Sequence, residues 1–260
     1  MHNLSQAELV RSIIESLEIL DRDDPAVDKL ASYLYEADHR LQRHIDNLKK
    51  HISEINDSKC TKSRKTQLRR ECGILMEQVA YLVFSGLRGA ENFKSFQSAG
   101  PQYDLVISGD NPNWLTMCKI FYMSTDCRDV LVEAKAREGK VSDQQFSRVC
   151  NIMNLNLRNV GMGVFFTLAG ATGFADNPNK RQRSLKDAKL RQALFHAQTG
   201  KKVIVFNAQE IFSLCQNGSF PKLTIRKIRD LNENTGLPIQ DVEVEEVDLP
   251  AHINSLHENR

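Results

Sequence analysis

The chain has 260 residues, 41% of them hydrophobic and 26% charged, with a net charge of +2 at pH 7. That length holds one sizeable core with an appendage, or two small domains. The near-neutral balance excludes a polycation whose overall field holds nucleic acid, so any such contact must come from local clusters.

The opening stretch, MHNLSQAELVRSIIESLEIL, has no basic start and no unbroken apolar run, so it does not read as a signal peptide. Ser5 and Glu8 form a capping box, and Leu9, Ile13, Leu17 and Leu20 follow at helical spacing, which predicts a first helix ended by DRDDP at 21–25. A longer helix is expected from about Ala26 to Ile55, where Leu30, Leu34, Ala37, Leu41, Ile45, Leu48, Ile52 and Ile55 step by three or four. This near-heptad seam serves either a coiled coil between two subunits or a helical hairpin packed on its own domain. His39, His44 and His51 lie in the same segment and form no metal-binding pair. The six cysteines form no CxxC and read as reduced packing thiols.

SKCTKSRKTQLRR, 58–70, carries six Lys or Arg and no acid. It is either a solvated linker or helix face or a strip that contacts phosphates through Lys62, Arg64, Lys65, Arg69 and Arg70. ECGILMEQVAYLVFSGL, 71–87, then predicts an apolar helix with Ile74, Val79, Leu82 and Val83 buried and Glu77 in its middle. YDLVI (103–107), LTMCKIFYM (115–123) and DVLVEAKA (129–136) read as strands, and residues 142–157 as a helix capped by Ser142 with Gln145 at the box position. A strand at 163–170, a helix at 184–200 closed by Gly200, a strand at 201–209 and a short helix at 210–218 follow. This late alternation predicts parallel strands joined by helical crossovers, hence an α/β sheet with covered faces. DVEVEEVDL, 241–249, is an edge strand or an acidic tail. No apolar run exceeds strand length, which points to a soluble, cytoplasmic protein without membrane contact.

The stretch DVLVEAKA carries the chemistry. Alternate residues of a strand share a face, so Leu131, Glu133 and Lys135 lie on one side and Val130, Val132, Ala134 and Ala136 on the other. A carboxylate on a buried strand needs a partner or a metal. Lys135 supplies an ion-pair partner, and Asp104 brings a second acid on a neighbouring strand. Glu77 adds a third from the preceding helix. Carboxylates that converge repel one another unless a divalent cation joins them, and hard oxygen ligands select Mg²⁺ or Mn²⁺. Acids, metal and lysine together suit phosphodiester hydrolysis.

EQVAYLVFSGL, GPQYDLVI and VLVEAKA resemble in their order the core of the restriction-endonuclease-like superfamily, written PD-(D/E)xK. The stretch from GVFFTLAG to KKVIVFNAQEI is similar to the closing strand–helix–strand of Mrr-type restriction enzymes. Two departures stand out: QYD replaces the family's Pro-Asp, and the long stretch 108–128 implies an insertion or extra hairpin near the site. The resemblance implies an α/β restriction-endonuclease-like core, a mixed sheet flanked by helices, with an N-terminal helical or coiled-coil extension. Three parts follow: 1–70, helical, with a candidate dimerisation seam and basic linker; 71–221, the nuclease-like domain; and 222–260, an acidic extension. It further implies that Asp104 and Glu133 bind Mg²⁺ (or Mn²⁺) with the Ala134 carbonyl, that Lys135 positions the attacking water, and that Glu77 is an accessory acid. Gln145 matches a glutamine some members carry, or else only caps its helix. Candidate DNA contacts are the strip at 59–70 and Lys180, Arg181, Arg183 and Lys186 in the loop before the next helix, each of which reads equally as surface charge. Trp114 stacks on a base or packs in the core. The expected activity is a metal-dependent endodeoxyribonuclease in restriction or anti-phage defence, acting as a homodimer or higher oligomer. The alternatives are a nuclease of the same fold acting on RNA or branched DNA, and a non-catalytic, nucleic-acid-binding oligomerisation protein.

Overall fold

The computed structural model describes residues 25–96, 103–174 and 187–233. The first expected helix, Ser184, the basic loop with Lys180, Arg181, Arg183 and Lys186, and the acidic stretch 241–249 lie outside the described residues.

The fold is α/β. A five-stranded mixed sheet has its strands in chain order: β1 (Asn92–Phe96), β2 (Tyr103–Ser108), β3 (Asp129–Lys135), β4 (Val160–Thr167) and β5 (Lys202–Phe206). β1, β2 and β3 run antiparallel as a meander, and β3, β4 and β5 run parallel. The parallel half needs helical crossovers. These are α5 (Asp143–Asn151), prolonged by a π-helical turn at Ile152–Asn156, and α6 (Asp187–Thr199). Both lie on one face of the sheet, where Phe146, Val149, Met153 and Phe195 pack on Leu131, Phe165, Val203 and Val205. Gly163 lets this layer seat closely, because a Cβ there would come 2.8 Å from Met153 Sδ and 3.3 Å from Val149 Cγ1.

The other face carries the larger core. It receives α1 (Pro25–Leu34), α2 (Leu41–Asn56), α3 (Lys62–Ser85), α4 (Pro112–Ile120) and α8 (Ser219–Glu233), with α7 (Ala208–Phe212) alongside. Val130, Val132, Val164, Phe166, Ile204 and Phe206 are the strand side chains they cover. The split of Val130 and Val132 from Leu131 is the alternation expected for this strand. Among the described residues no helix is long and apolar enough to cross a membrane.

Several elements differ from expectation. The helix read over 26–55 is two helices, broken at 35–40. There Glu36 N–H donates to the Gly86 carbonyl (3.0 Å), Arg88 N–H donates to that of Leu34 (2.8 Å), and the Tyr35 hydroxyl donates to that of Leu214 (2.9 Å). Asp38 then accepts from the Arg40 N–H at 2.8 Å as the chain re-enters a helix. Leu34, Leu41, Ile45, Leu48 and Ile55 are buried within this one chain, so the seam is occupied by the molecule's own core. Of residues 58–70, the first four join α2 to α3 and the rest are a helix face: α3 begins at Lys62, capped by Thr61 accepting from Arg64 N–H, and continues through Arg70–Glu71 without a break. Ile74, expected inside, is 50% exposed.

The strand expected at 115–123 is instead α4. Asn111 caps it by accepting from Trp114 N–H (3.1 Å), and Pro112 occupies the first turn, where its missing N–H does no harm. This helix fills the stretch 108–128 in place of a hairpin. Trp114 is buried and donates through Nε1 to the Arg128 carbonyl at 3.1 Å, so it is a packing residue. The first residues of the expected acidic extension, 222–233, belong instead to α8. Its anchor Phe220 meets the rings of Tyr35, Phe84, Phe121 and Phe206 at centroid distances of 4.9 to 6.2 Å.

If α2 is core rather than an oligomer seam, Ile45→Ala lowers the unfolding free energy by about 2–5 kcal/mol. The loss is independent of protein concentration, as urea titrations at two concentrations will show.

Candidate active site

Two neighbouring strands assemble the site. β2 and β3 pair with Leu105 opposite Val132 and Val106 opposite Leu131. One residue beyond the first pair, Asp104 stands on β2 and Glu133 on β3, on the face that α5 covers. Residues opposite one another across an antiparallel pair put their side chains close together on one side. Asp104 Oδ2 accepts a hydrogen bond from the Ala134 N–H at 2.6 Å. Lys135 Nζ lies 2.6 Å from Glu133 Oε1. Glu133 is only 6% exposed, whereas the Lys135 side chain keeps 23% of its surface in solvent. The acid is therefore buried beneath a lysine that reaches water.

The carboxyls interact. Burial, and then the charge of Asp104, push the Glu133 pKa above its ordinary 4.5; the Lys135 ammonium and, more weakly, Arg148 pull it back. Most of Glu77 is in solvent, yet partial burial and the nearby Asp104 raise its pKa as well, Lys135 opposing and Glu133 adding. Glu77, on α3 in the opposite helix layer, is within electrostatic reach of Asp104, Lys135 and Glu133. Asp104, Glu133, Lys135 and Glu77, which lie far apart in sequence, share one electrostatic environment.

Other expected residues sit elsewhere. Gln145 caps α5, its Oε1 accepting from the Ser142 N–H at 3.0 Å, while the Ser142 side chain accepts in return from Gln145 N–H. The cap reading is the one its geometry supports. Ala134 addresses the site through its N–H, which is bonded to Asp104. On α3, Arg64 is paired with Glu54 (2.7 and 3.2 Å) and Arg69 with Glu138 (2.7 Å). Their charges are thereby partly neutralised within the molecule. Lys62 and Arg70 are exposed and Lys65 is half-buried. Arg148 is the residue that sequence reasoning passes over. Its signal is its place, one helical turn after Gln145 on the helix that directly follows the Glu133–Lys135 strand.

Among the described residues, no three His, Cys, Asp or Glu side chains are gathered tightly enough to hold a metal ion. The donor chemistry nevertheless suits Mg²⁺, which keeps several waters and commonly takes only one or two protein carboxylates. Asp104 and Glu133 are the two hard anionic side chains here that could hold such an ion. No family model, curated protein or solved structure matches the chain.

The raised Glu133 pKa makes a sign-definite prediction. Below about pH 4.5 the carboxyl is protonated in both the folded and unfolded states and no penalty exists. As pH rises through the folded value, the native state must give up a proton it holds more tightly than the unfolded chain does, and stability falls. Asp104→Asn removes the like charge while its side-chain oxygen can still accept from Ala134. It is expected to melt higher than the wild type at pH 7, with the gap closing toward pH 4, as thermal scans across that range will check.

Proposed function

We propose that the chain is a Mg²⁺-dependent endodeoxyribonuclease that hydrolyses phosphodiester bonds at the β2–β3 strand ends. The observation that carries this reading is the Asp104–Glu133 pair. Two acids stand on adjacent strands, one of them buried, and burial together with the neighbouring charge holds the Glu133 pKa above its ordinary value. Such perturbed acids, beside a specific charged partner, mark functional positions.

Asp104 and Glu133 are the residues that would hold the metal. When bound, it supplies Lewis-acid polarisation of the phosphoryl oxygens and stabilises the charge that develops there. The chain's own residues do the rest. Lys135 holds the Glu133 carboxylate in one orientation and points a cation toward solvent, where an entering water or a phosphate oxygen meets it. Glu77, whose pKa is raised, is suited to exchanging a proton with the attacking water or the leaving oxygen. Lys62, Lys65 and Arg70 extend a cationic approach along α3 toward the acids. Action on both strands of a duplex calls for two sites, and a homodimer that supplies them must use a face other than the buried α2 seam. Restriction or anti-phage defence is the setting in which we place this activity.

Supercoiled plasmid incubated with Mg²⁺ should be converted to open-circular or linear forms, and EDTA should stop the conversion. Glu133→Ala and Lys135→Ala are each expected to lower the rate by about 10²–10⁴-fold; full activity in either variant removes the mechanism. Replacing Lys62, Lys65 and Arg70 together by Ala should make DNA binding less steeply salt-dependent. The log–log slope should fall by about 0.9 for each phosphate that the variant no longer neutralises.

A further inference from the structure

The ends of β3 and β4 leave an opening that the mechanism above does not use. Just past β4, Leu168 N–H donates to the Lys135 carbonyl at 3.3 Å, and the two chains then part. They rejoin at Val141, whose N–H donates to the Gly170 carbonyl at 2.9 Å. Against this gap, on the α2–α3 side of the sheet, lies a cavity of about 210 Å³. It shares no residue with Asp104, Glu133, Lys135 or Glu77.

Its walls are apolar. Ile52 and Ile55 come from α2, Cys72 from α3, and Ala136, Leu168 and Ala169 from the two strand ends. Burial raises the Cys72 pKa, so the thiol brings no charge and acts as a small hydrophobe. The rim is of another kind. Arg69 on α3 and Glu138 after β3 meet at 2.7 Å, with half or more of each side chain in solvent. Exposed pairs of this sort are weak, so this closure opens readily. Arg137, also exposed at the rim, has no ion-pair partner among the described residues.

These two features select the occupant. A dry apolar cavity of about 150 Å³ takes a benzene-sized molecule, so the walls suit a ring or a branched chain of similar bulk. A guanidinium without a partner suits a planar carboxylate, which it can hold by two parallel N–H···O bonds. An apolar body inside and an anionic end at the mouth satisfy both. Ligands of open α/β sheets gather outside the carboxyl ends of the strands, and the parallel pair β3 and β4 ends here.

We propose that this cavity binds a small organic carboxylate, with its apolar body between Ile52, Ile55 and Leu168 and its anionic end on Arg137. The bound molecule bridges α2 and α3 to the segment that directly follows Lys135.

The test is titration of the full-length protein with sodium benzoate, sodium acetate and benzyl alcohol, followed by the methyl NMR signals of Ile52 and Ile55. Benzoate should shift both signals saturably, with a Kd of about 0.1–10 mM for so small a molecule. Acetate lacks the apolar body and benzyl alcohol lacks the charge, and each should bind at least about 10-fold more weakly. Arg137→Ala should weaken benzoate by about 10-fold and leave benzyl alcohol unchanged. Ala169→Leu, which fills the cavity, should abolish benzoate binding. Where thermal melting shows the filled variant to be unfolded, Ala136→Val takes its place. Benzoate that produces no saturable shift overturns the inference. So does acetate or benzyl alcohol binding as well as benzoate, or a benzoate affinity that Arg137→Ala and the filled variant leave unchanged.

Discussion

The arrangement turns on the burial of one acid, Glu133, at the end of a hydrophobic strand. Asp104 and Glu133 are placed on neighbouring strands at positions where their carboxyls feel each other, and the hydrophobic layers above and below deny Glu133 the water that would screen it. The backbone holds the pair together: β2–β3 register sets the spacing, and the Ala134 amide fixes Asp104. Lys135 offsets part of the energy at 2.6 Å. Replacing buried ions with apolar residues is often neutral or stabilising, so the presence of three ionic groups at one strand end calls for a role other than stability.

Seen from the sheet, the two helix layers divide the labour. The layer of α2, α3 and α8 builds most of the core around Phe84, Phe166, Phe206 and Phe220 and sends only Glu77 toward the acids. The layer of α5 and α6 is thinner and lies directly over Glu133 and Lys135. The site thus rests on a rigid sheet with a heavy core behind it and a single helix in front. Precise placement of reactive side chains benefits from elements of this kind more than from loops.

The grouping of Asp104, Glu133 and Lys135 is more legible in the sequence than much of the fold around it. Glu133 and Lys135 are readable because polar residues interrupt an apolar strand at alternate positions, and Asp104 because it opens the next readable strand. Distances are not readable, since pairing of β2 with β3 is a tertiary fact. Two local signals are outweighed by composition. Asn111–Pro112 announces a helix start, but Leu115, Ile120, Phe121 and Tyr122 favour a strand. At 35–40 the hydrophobic period runs on through a break held by hydrogen bonds with Gly86, Arg88, Leu214, Asn217 and Gly218. The short edge strand β1 carries too few apolar residues to announce itself, and a proline near the start of α8 masks its run Phe220, Ile225, Ile228, Leu231. The α3 arginines look alike in sequence; only the folded partners Glu54 and Glu138 separate them from Lys62 and Arg70.

The unbroken run of α3 has one further effect. Lys62 and Glu77 sit on the same continuous helix, about 22 Å apart at 1.5 Å per residue. At roughly 3.4 Å per nucleotide step, that is a span of about six or seven steps along a polynucleotide. On the proposed nuclease reading, a rod of this length would act as a ruler, setting the offset between a substrate held at the cationic end of α3 and the carboxylates.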